Sequence, residues 1–192
     1  MSAYVADALR HYQIRSAAAK RGTADRPADR PAGTVIVDAS LIIDAIADPG
    51  PRGIAARDAL AAQPAAEPLS APGHFTIEVM SGLSAAANRP NHPFRTYDLT
   101  QALHDAASFE ILIEATPWID VHRAWTLASG SLRYANAIYV AAAERHGTAL
   151  LTADARIERS GAPITCEIIT VGPVGEGDPA HRARPTAGRP RP

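Results

Sequence analysis

Hydrophobic and polar positions fall into blocks along the middle of the chain, and the blocks read in turn as strands and helices. The first, Thr34-Val35-Ile36-Val37, is β-branched with no polar alternation, which predicts a strand covered on both faces, as in the middle of a parallel sheet. It stops at Asp38-Ala39-Ser40, and Leu41-Ile42-Ile43 opens a helix for which Ser40 is the expected N-cap. Pro49-Gly50-Pro51 marks a turn, Ile54 to Ala62 an alanine-rich helix, and Leu69-Ser70-Ala71-Pro72 a very short strand. From Gly73 to Leu83, Phe75, Val79, Gly82 and Leu83 share one helical face, with Glu78 on its edge.

Asn88, Pro90, Asn91 and Pro93 interrupt the pattern, and a longer helix is expected from about Tyr97 to Glu114. Trp118-Ile119-Asp120-Val121 reads as a strand end or the start of a helix, with His122 to Ala128 helical and Trp125 expected as a core anchor rather than a base-stacking platform. Tyr134 to Glu144 is a strong helix carrying Asn136, Tyr139, Val140 and Ala143 on one face, and Gly147 stops it. Ala149-Leu150-Leu151-Thr152 is a second buried strand, and Glu167-Ile168-Ile169-Thr170-Val171 the last. The alternation predicts an α/β domain over residues 34–171. Before it, residues 2–20 are expected to form a modest amphipathic helix, with residues 24–32 a proline- and charge-rich linker. Residues 1–33 as a whole are expected to be a flexible extension, and 172–192 a disordered tail. Residues 1–34 are expected to be dispensable, Val35 lying where an alternative bacterial start codon would begin the domain.

Composition narrows the function classes. The chain has 192 residues, 46% of them hydrophobic, enough for one domain with a core. Its single cysteine, Cys166, excludes an internal disulfide framework and is assigned to packing. No apolar run reaches membrane-spanning length, and Asp7 and Arg10 stand where a signal peptide would be apolar, so a soluble, cytoplasmic protein is expected. The net charge of −1 hides an acidic body between basic ends. A nucleic acid would need bound metal, local arginines, the basic tails or a second subunit to offset that field. Lys20 is the only lysine, which removes P-loop and Schiff-base chemistry from the central domain.

The candidate chemistry lies at strand ends. Asp38 and Asp154 each follow a buried strand, at the carboxyl edge where open α/β sheets bind ligands. Glu78 taken alone fits a salt bridge, because a carboxylate beside an apolar stripe needs a partner. Asn136 points inward near its helix start. Together the four residues would gather oxygen donors at one edge, and oxygen donors without clustered His or Cys favour Mg²⁺ or Mn²⁺.

Val35-Ile36-Val37-Asp38-Ala39-Ser40, Glu78-Val79, Tyr134-Ala135-Asn136-Ala137-Ile138-Tyr139-Val140-Ala141 and Leu150-Leu151-Thr152-Ala153-Asp154-Ala155-Arg156 resemble, in order and spacing, the motifs of PIN-domain ribonucleases, and most of all the VapC toxins of type II toxin-antitoxin pairs. The resemblance implies a three-layer α/β/α fold with a mainly parallel sheet. It also implies Mg²⁺- or Mn²⁺-dependent endonucleolytic cleavage of RNA, a cognate VapB-like antitoxin that blocks the cleft, and a homodimer. Asp38, Glu78 and Asp154 would hold metal. Ser40 and Thr152 would support them, beside their plain roles as helix cap and strand-end hydroxyl. Where the family pattern has aspartate this chain has Asn136, which offers an oxygen without a charge and should weaken divalent binding. Two functions therefore stand: a metal-dependent endoribonuclease, or a catalytically weakened PIN domain that binds antitoxin or RNA. A phosphotransfer or hydrolase domain is disfavoured by the absence of a Gly-x-Ser-x-Gly elbow and of a core lysine.

Overall fold

The computed structural model describes residues 33–172 apart from residue 65. The expected helix over 2–20, the linker over 24–32 and the tail beyond 172 lie outside the described residues. Strand β1 (Val35–Val37) is followed by helices α1 (Ala39–Ala47) and α2 (Pro51–Ala62), then β2 (Leu69–Pro72) and α3 (Phe75–Ala87). A 3₁₀ turn at Thr96–Asp98 leads into α4 (Leu99–Ala107), then β3 (Leu112–Glu114), α5 (Trp118–Ala128), α6 (Tyr134–His146), β4 (Leu150–Thr152) and β5 (Ile168–Thr170). The strands form one sheet in the order β3-β2-β1-β4-β5, with every neighbouring pair parallel. Helices α1 to α4 pack among themselves and α5 packs on α6, which lies against β1, β2 and β4. The result is the expected three-layer α/β/α arrangement.

The centre of the sheet follows from side-chain chemistry. Val35, Ile36 and Val37 are buried between β2 and β4, and Leu150, Leu151 and Thr152 are buried beside them. On α3, Phe75, Val79 and Leu83 form the buried stripe, and Gly82 faces α1 so closely that a Cβ there would sit 2.2 Å from Ile43 Cδ1. Helix α2 meets the end of α1 more closely still: a Cβ on Gly53 would lie 1.8 Å from the Asp48 carbonyl oxygen. Arg57, buried on α2, donates to the carbonyls of Ala45 (2.6 Å) and Asp48 (3.2 Å), satisfying acceptors that the end of a helix leaves open. Gly147 ends α6 in the left-handed conformation, at φ 61°, as its place in the sequence predicts.

Three expectations are corrected. The helix expected from Tyr97 to Glu114 ends at Ala107. Ser108 to Glu110 turn the chain, Glu110 at φ 52°, and Leu112–Glu114 add a parallel edge strand to β2. Six residues of mixed apolar and acidic character fit either period, and pairing with β2 decides for the strand. Trp125 is not a core anchor: it is 71% exposed, because the buried side of α5 is carried by Asp120, Ala124 and Leu127. Ser40 is not the cap of α1. Asp38 takes that position at φ −86° and ψ 145°, its carboxylate accepting from the Ser40 N–H, and Ser40 lies in the first turn. No helix among the described residues is long and apolar enough to cross a membrane.

Ion pairs fasten the α5–α6 layer. Arg123 grips Glu144 at 2.6 and 2.9 Å, and Glu144 also accepts from the Thr165 N–H at 2.8 Å. Arg145 reaches buried Asp120 at 2.9 Å and Glu114 at 3.2 Å, and Glu114 accepts from Ser70 at 2.7 Å. Burial pushes the Glu144 carboxyl up, but the hydrogen bonds from Arg123 and Thr165 outweigh it and hold the group below its ordinary value of 4.5. A depressed folded value means stability that is present above the unfolded value and lost as pH falls through the folded one. Glu144→Gln is therefore expected to lower the urea midpoint at neutral pH and to make its decline below pH 4.5 shallower than in the unaltered chain, measured by circular dichroism across a pH series.

Candidate active site at the carboxyl edge of the sheet

Asp38 leaves β1 at the carboxyl edge with its side chain almost fully enclosed, so its charge requires donors. They come from the turn it caps and from the neighbouring strand. Oδ1 accepts from the Ser40 N–H at 3.2 Å, and Oδ2 accepts from Ser40 Oγ at 2.8 Å and from Thr152 Oγ1 at 2.5 Å. Ser40 Oγ in turn accepts from the Ala153 N–H at 3.1 Å, and Thr152 Oγ1 from the Asp154 N–H at 2.9 Å. The ends of β1 and β4 are thereby locked in register, with Asp38 and Asp154 on the same edge. Ser40, in the first turn of α1 rather than at its cap, links the two strand ends, and Thr152 is wholly buried beside Asp38.

Asp154 accepts from the Asn136 amide Nδ2 at 3.0 Å, and the Arg156 guanidinium grips it through Nε and Nη2, each at 2.7 Å. The Arg156 guanidinium, with help from the Arg156 N–H and the Asn136 amide, holds this carboxyl below its ordinary range against the opposing effect of burial. Glu78 lies in the first turn of α3. It accepts from Tyr139 Oη at 2.7 Å, and His74 Nε2 lies 3.4 Å from the same oxygen, buried and without a hydrogen bond. The His74 and Tyr139 rings are 4.7 Å apart. Burial, reinforced by the hydrogen bond to Glu78 and the charge of Asp38, pushes the Tyr139 phenol far above its usual range, so its hydroxyl stays a donor.

Five of the residues singled out in the sequence, Asp38, Ser40, Thr152, Asp154 and Asn136, thus form one hydrogen-bonded chain. Glu78 belongs to the same region through Tyr139, which feels the charges of both Asp38 and Glu78. Among the described residues no three His, Cys, Asp or Glu side chains converge as a ready-made metal cage. The donors do fit a hard cation of the Mg²⁺ type, which is commonly held by one or two carboxylates and completes its shell with water and substrate phosphate. Asp38 and Asp154, linked through the Thr152 hydroxyl that donates to Asp38 and accepts from the Asp154 backbone N–H, would be such a pair.

Tyr139, His74 and Arg156 escaped the sequence reading. His74 stands four residues before Glu78 and Tyr139 three after Asn136, both on site-facing helical positions, so spacing was the available signal. Arg156 stood at the end of the motif over residues 150–156, and its nearness to Asp154 in the sequence was the available signal. Cys166 has no part in the site: burial pushes its thiol up to about 11, which keeps it protonated and inert.

The PIN-domain family model matches residues 35–162. Over 136 residues the chain is 35% identical to Ribonuclease VapC3 of Mycobacterium tuberculosis, covering 68% of this chain and 89% of the relative. Among solved structures it is similar to Mycobacterium tuberculosis VapC20, a Sarcin-Ricin loop cleaving toxin, with a TM-score of 0.52 and 15% identity over 67% of this chain and 96% of that one. It is also similar to a chain of a toxin-antitoxin complex from Klebsiella pneumoniae, with a TM-score of 0.51 and 22% identity over 71% of this chain and 97% of that one. The five-stranded parallel sheet agrees with these likenesses, and the chain belongs to the PIN-domain family as a VapC-like member.

Proposed function

We propose that this chain is a divalent-metal-dependent endoribonuclease toxin, cytoplasmic and neutralised by a cognate VapB-like antitoxin. The observation that carries the reading is the pair Asp38 and Asp154, placed on adjacent strand ends and joined through Thr152. Asp38, Glu78, Asn136 and Asp154 would hold Mg²⁺ or Mn²⁺, with Ser40 and Thr152 fixing the orientation of Asp38. Such an ion supplies an activated water and offsets charge on the phosphate under attack. The chain's own residues prepare the edge: Tyr139 fixes one oxygen of Glu78 and leaves the other available, and the Asn136 amide, donating to Asp154 through Nδ2, turns its Oδ1 away from that carboxylate. For the antitoxin, the likeness to the Klebsiella pneumoniae toxin-antitoxin complex supports a partner, and Ile77 and Met80 on α3 flank Glu78 as exposed apolar positions.

The Asn136 hydrogen bond favours a second reading, a weakened PIN domain that binds antitoxin or RNA without efficient cleavage. An aspartate there would bring a second carboxylate to the place where the amide now donates to Asp154, and like charges at that range need a cation between them. Asn136→Asp is thus expected to lower thermal stability without divalent ions, to raise Mg²⁺ affinity, and to raise cleavage more in Mg²⁺ than in Mn²⁺. Asp38→Ala should abolish cleavage and remain folded. Calorimetry and an RNA cleavage assay in both metals check this: cleavage by the unaltered chain supports the enzyme, whereas RNA cut only by the Asn136→Asp variant supports the weakened module.

A homodimer has a candidate surface in α5. Trp118, His122 and Trp125 recur at i, i+4 and i+7, and both tryptophans are more than two-thirds exposed, at 77% and 71%. An aromatic stripe of this kind is self-complementary about a two-fold axis, and tryptophans are the largest single contributors to such contacts. Replacing both tryptophans by serine is expected to convert a dimer to a folded monomer in light scattering; an unchanged dimer would assign the stripe no part in self-association.

A further inference from the structure

Asp154 is saturated by its own neighbours. A carboxylate offers about four acceptor positions. On Oδ1 they are filled by the Arg156 N–H at 3.0 Å and Arg156 Nε at 2.7 Å, and on Oδ2 by Arg156 Nη2 at 2.7 Å and Asn136 Nδ2 at 3.0 Å. An ion bound to this carboxylate must displace at least one of those donors. The geometry selects which one gives way. Asn136 is anchored in α6, and the backbone N–H of residue 156 is part of the turn after β4. The guanidinium is on a flexible side chain, 63% exposed, over a carboxylate that is 10% exposed. Arg156 therefore covers the outer side of Asp154, and among the described residues it is the only arginine bonded to any of the site side chains named above.

The same fork that matches a carboxylate matches a phosphate. Asp38, Glu78 and Asp154 repel a polyanion, while one divalent ion together with one arginine balances three carboxylates. We propose that Arg156 is an RNA phosphate-binding residue that shares Asp154 with the divalent ion: its guanidinium holds either Asp154 or an RNA phosphate, so ion binding at Asp154 delivers it to the substrate. This rests on the ribonuclease reading and adds a coupling to it, in which ion and RNA each strengthen the binding of the other. The coupling is reciprocal because both ligands favour the same released position of one side chain.

The test uses the full chain, its Arg156→Gln and Arg156→Lys variants, Mn²⁺ in calorimetry, and a randomised-sequence 2′-O-methyl oligonucleotide, which is not cleaved, in fluorescence anisotropy over a salt series. Without oligonucleotide, Arg156→Gln is expected to bind Mn²⁺ about 2- to 5-fold more tightly, the share of an exposed ion pair removed from competition. With Mn²⁺ present, the same variant should bind the oligonucleotide about tenfold more weakly. The slope of its affinity against salt should fall in magnitude by about 0.7, the contribution of one phosphate contact on a single strand. Arg156→Lys should keep the salt slope and lose part of the affinity, because the charge remains and the fork does not. A structural role alone would not move ion and oligonucleotide affinities in opposite directions. Unchanged or weaker Mn²⁺ binding by Arg156→Gln overturns the competition, and an unchanged oligonucleotide affinity and slope overturns the phosphate contact. Were the unaltered chain to bind no oligonucleotide and cut no RNA in any metal, the ribonuclease reading would fall and this inference with it; cleavage by the unaltered chain with an Arg156→Gln variant matching it in all three measurements would remove the inference alone.

Discussion

The buried carboxylate of Asp38 is the constraint on which the rest of the site depends. A charge at the centre of a parallel sheet is tolerable only where donors surround it, and this one receives them from its own helix turn and from Thr152 on the adjacent strand. One set of hydrogen bonds therefore has three consequences. It starts α1, holds the ends of β1 and β4 level, and orients the turn that carries Asp154. Removing Thr152 Oγ1 would leave Ser40 Oγ as the side-chain link between Asp38 and the turn that carries Asp154.

The remaining site is a graded arrangement of partners for negative charge. Tyr139, whose phenol is held protonated by burial, can only donate to Glu78, so it fixes that side chain without competing for an ion's charge. Asn136 does the same for Asp154 with an amide. Arg156 differs from both because it is charged and exposed, and its hold on Asp154 is the one that a cation can contest. Asp154 is thus held by a neutral donor anchored in α6 and by one exposed cationic side chain.

The layer behind the site is stabilised differently. Alanines from Ala141 to Ala143 are buried on α6 beside the larger Ile138, Tyr139 and Val140, where the helix lies against β1, β2 and β4. Arg123–Glu144 and Arg145–Asp120 add to that packing by tying α6 to α5 and to the loop before β5. Asn136 and Tyr139 ride on this helix, so these distant ion pairs help to set where the two side chains meet the edge.

Much of this was legible in the sequence because it is local. A β-branched run followed by an acid declares a buried strand with a charged end, and the same pattern at Leu150 to Asp154 repeats it. The stripe of α3, the stop at Gly147 and the placing of Asn136 follow from periodicity and backbone sterics alone. What tertiary structure alone decided depends on partners far along the chain. Leu112–Glu114 is a strand because β2 offers an unpaired edge to it, and Trp125 is exposed because α5 buries smaller residues on its other side. Asp38 rather than Ser40 caps α1: its carboxylate accepts from the Ser40 N–H and from Thr152, distant in sequence, while the Ser40 hydroxyl both donates to that carboxylate and accepts from the Ala153 N–H in the turn beside Asp154. Tyr139, His74 and Arg156 entered the site in the same way. A side chain's period says which face of an element it occupies, whereas its hydrogen-bonding partner is settled only when two distant segments are brought within 3 Å or so of each other.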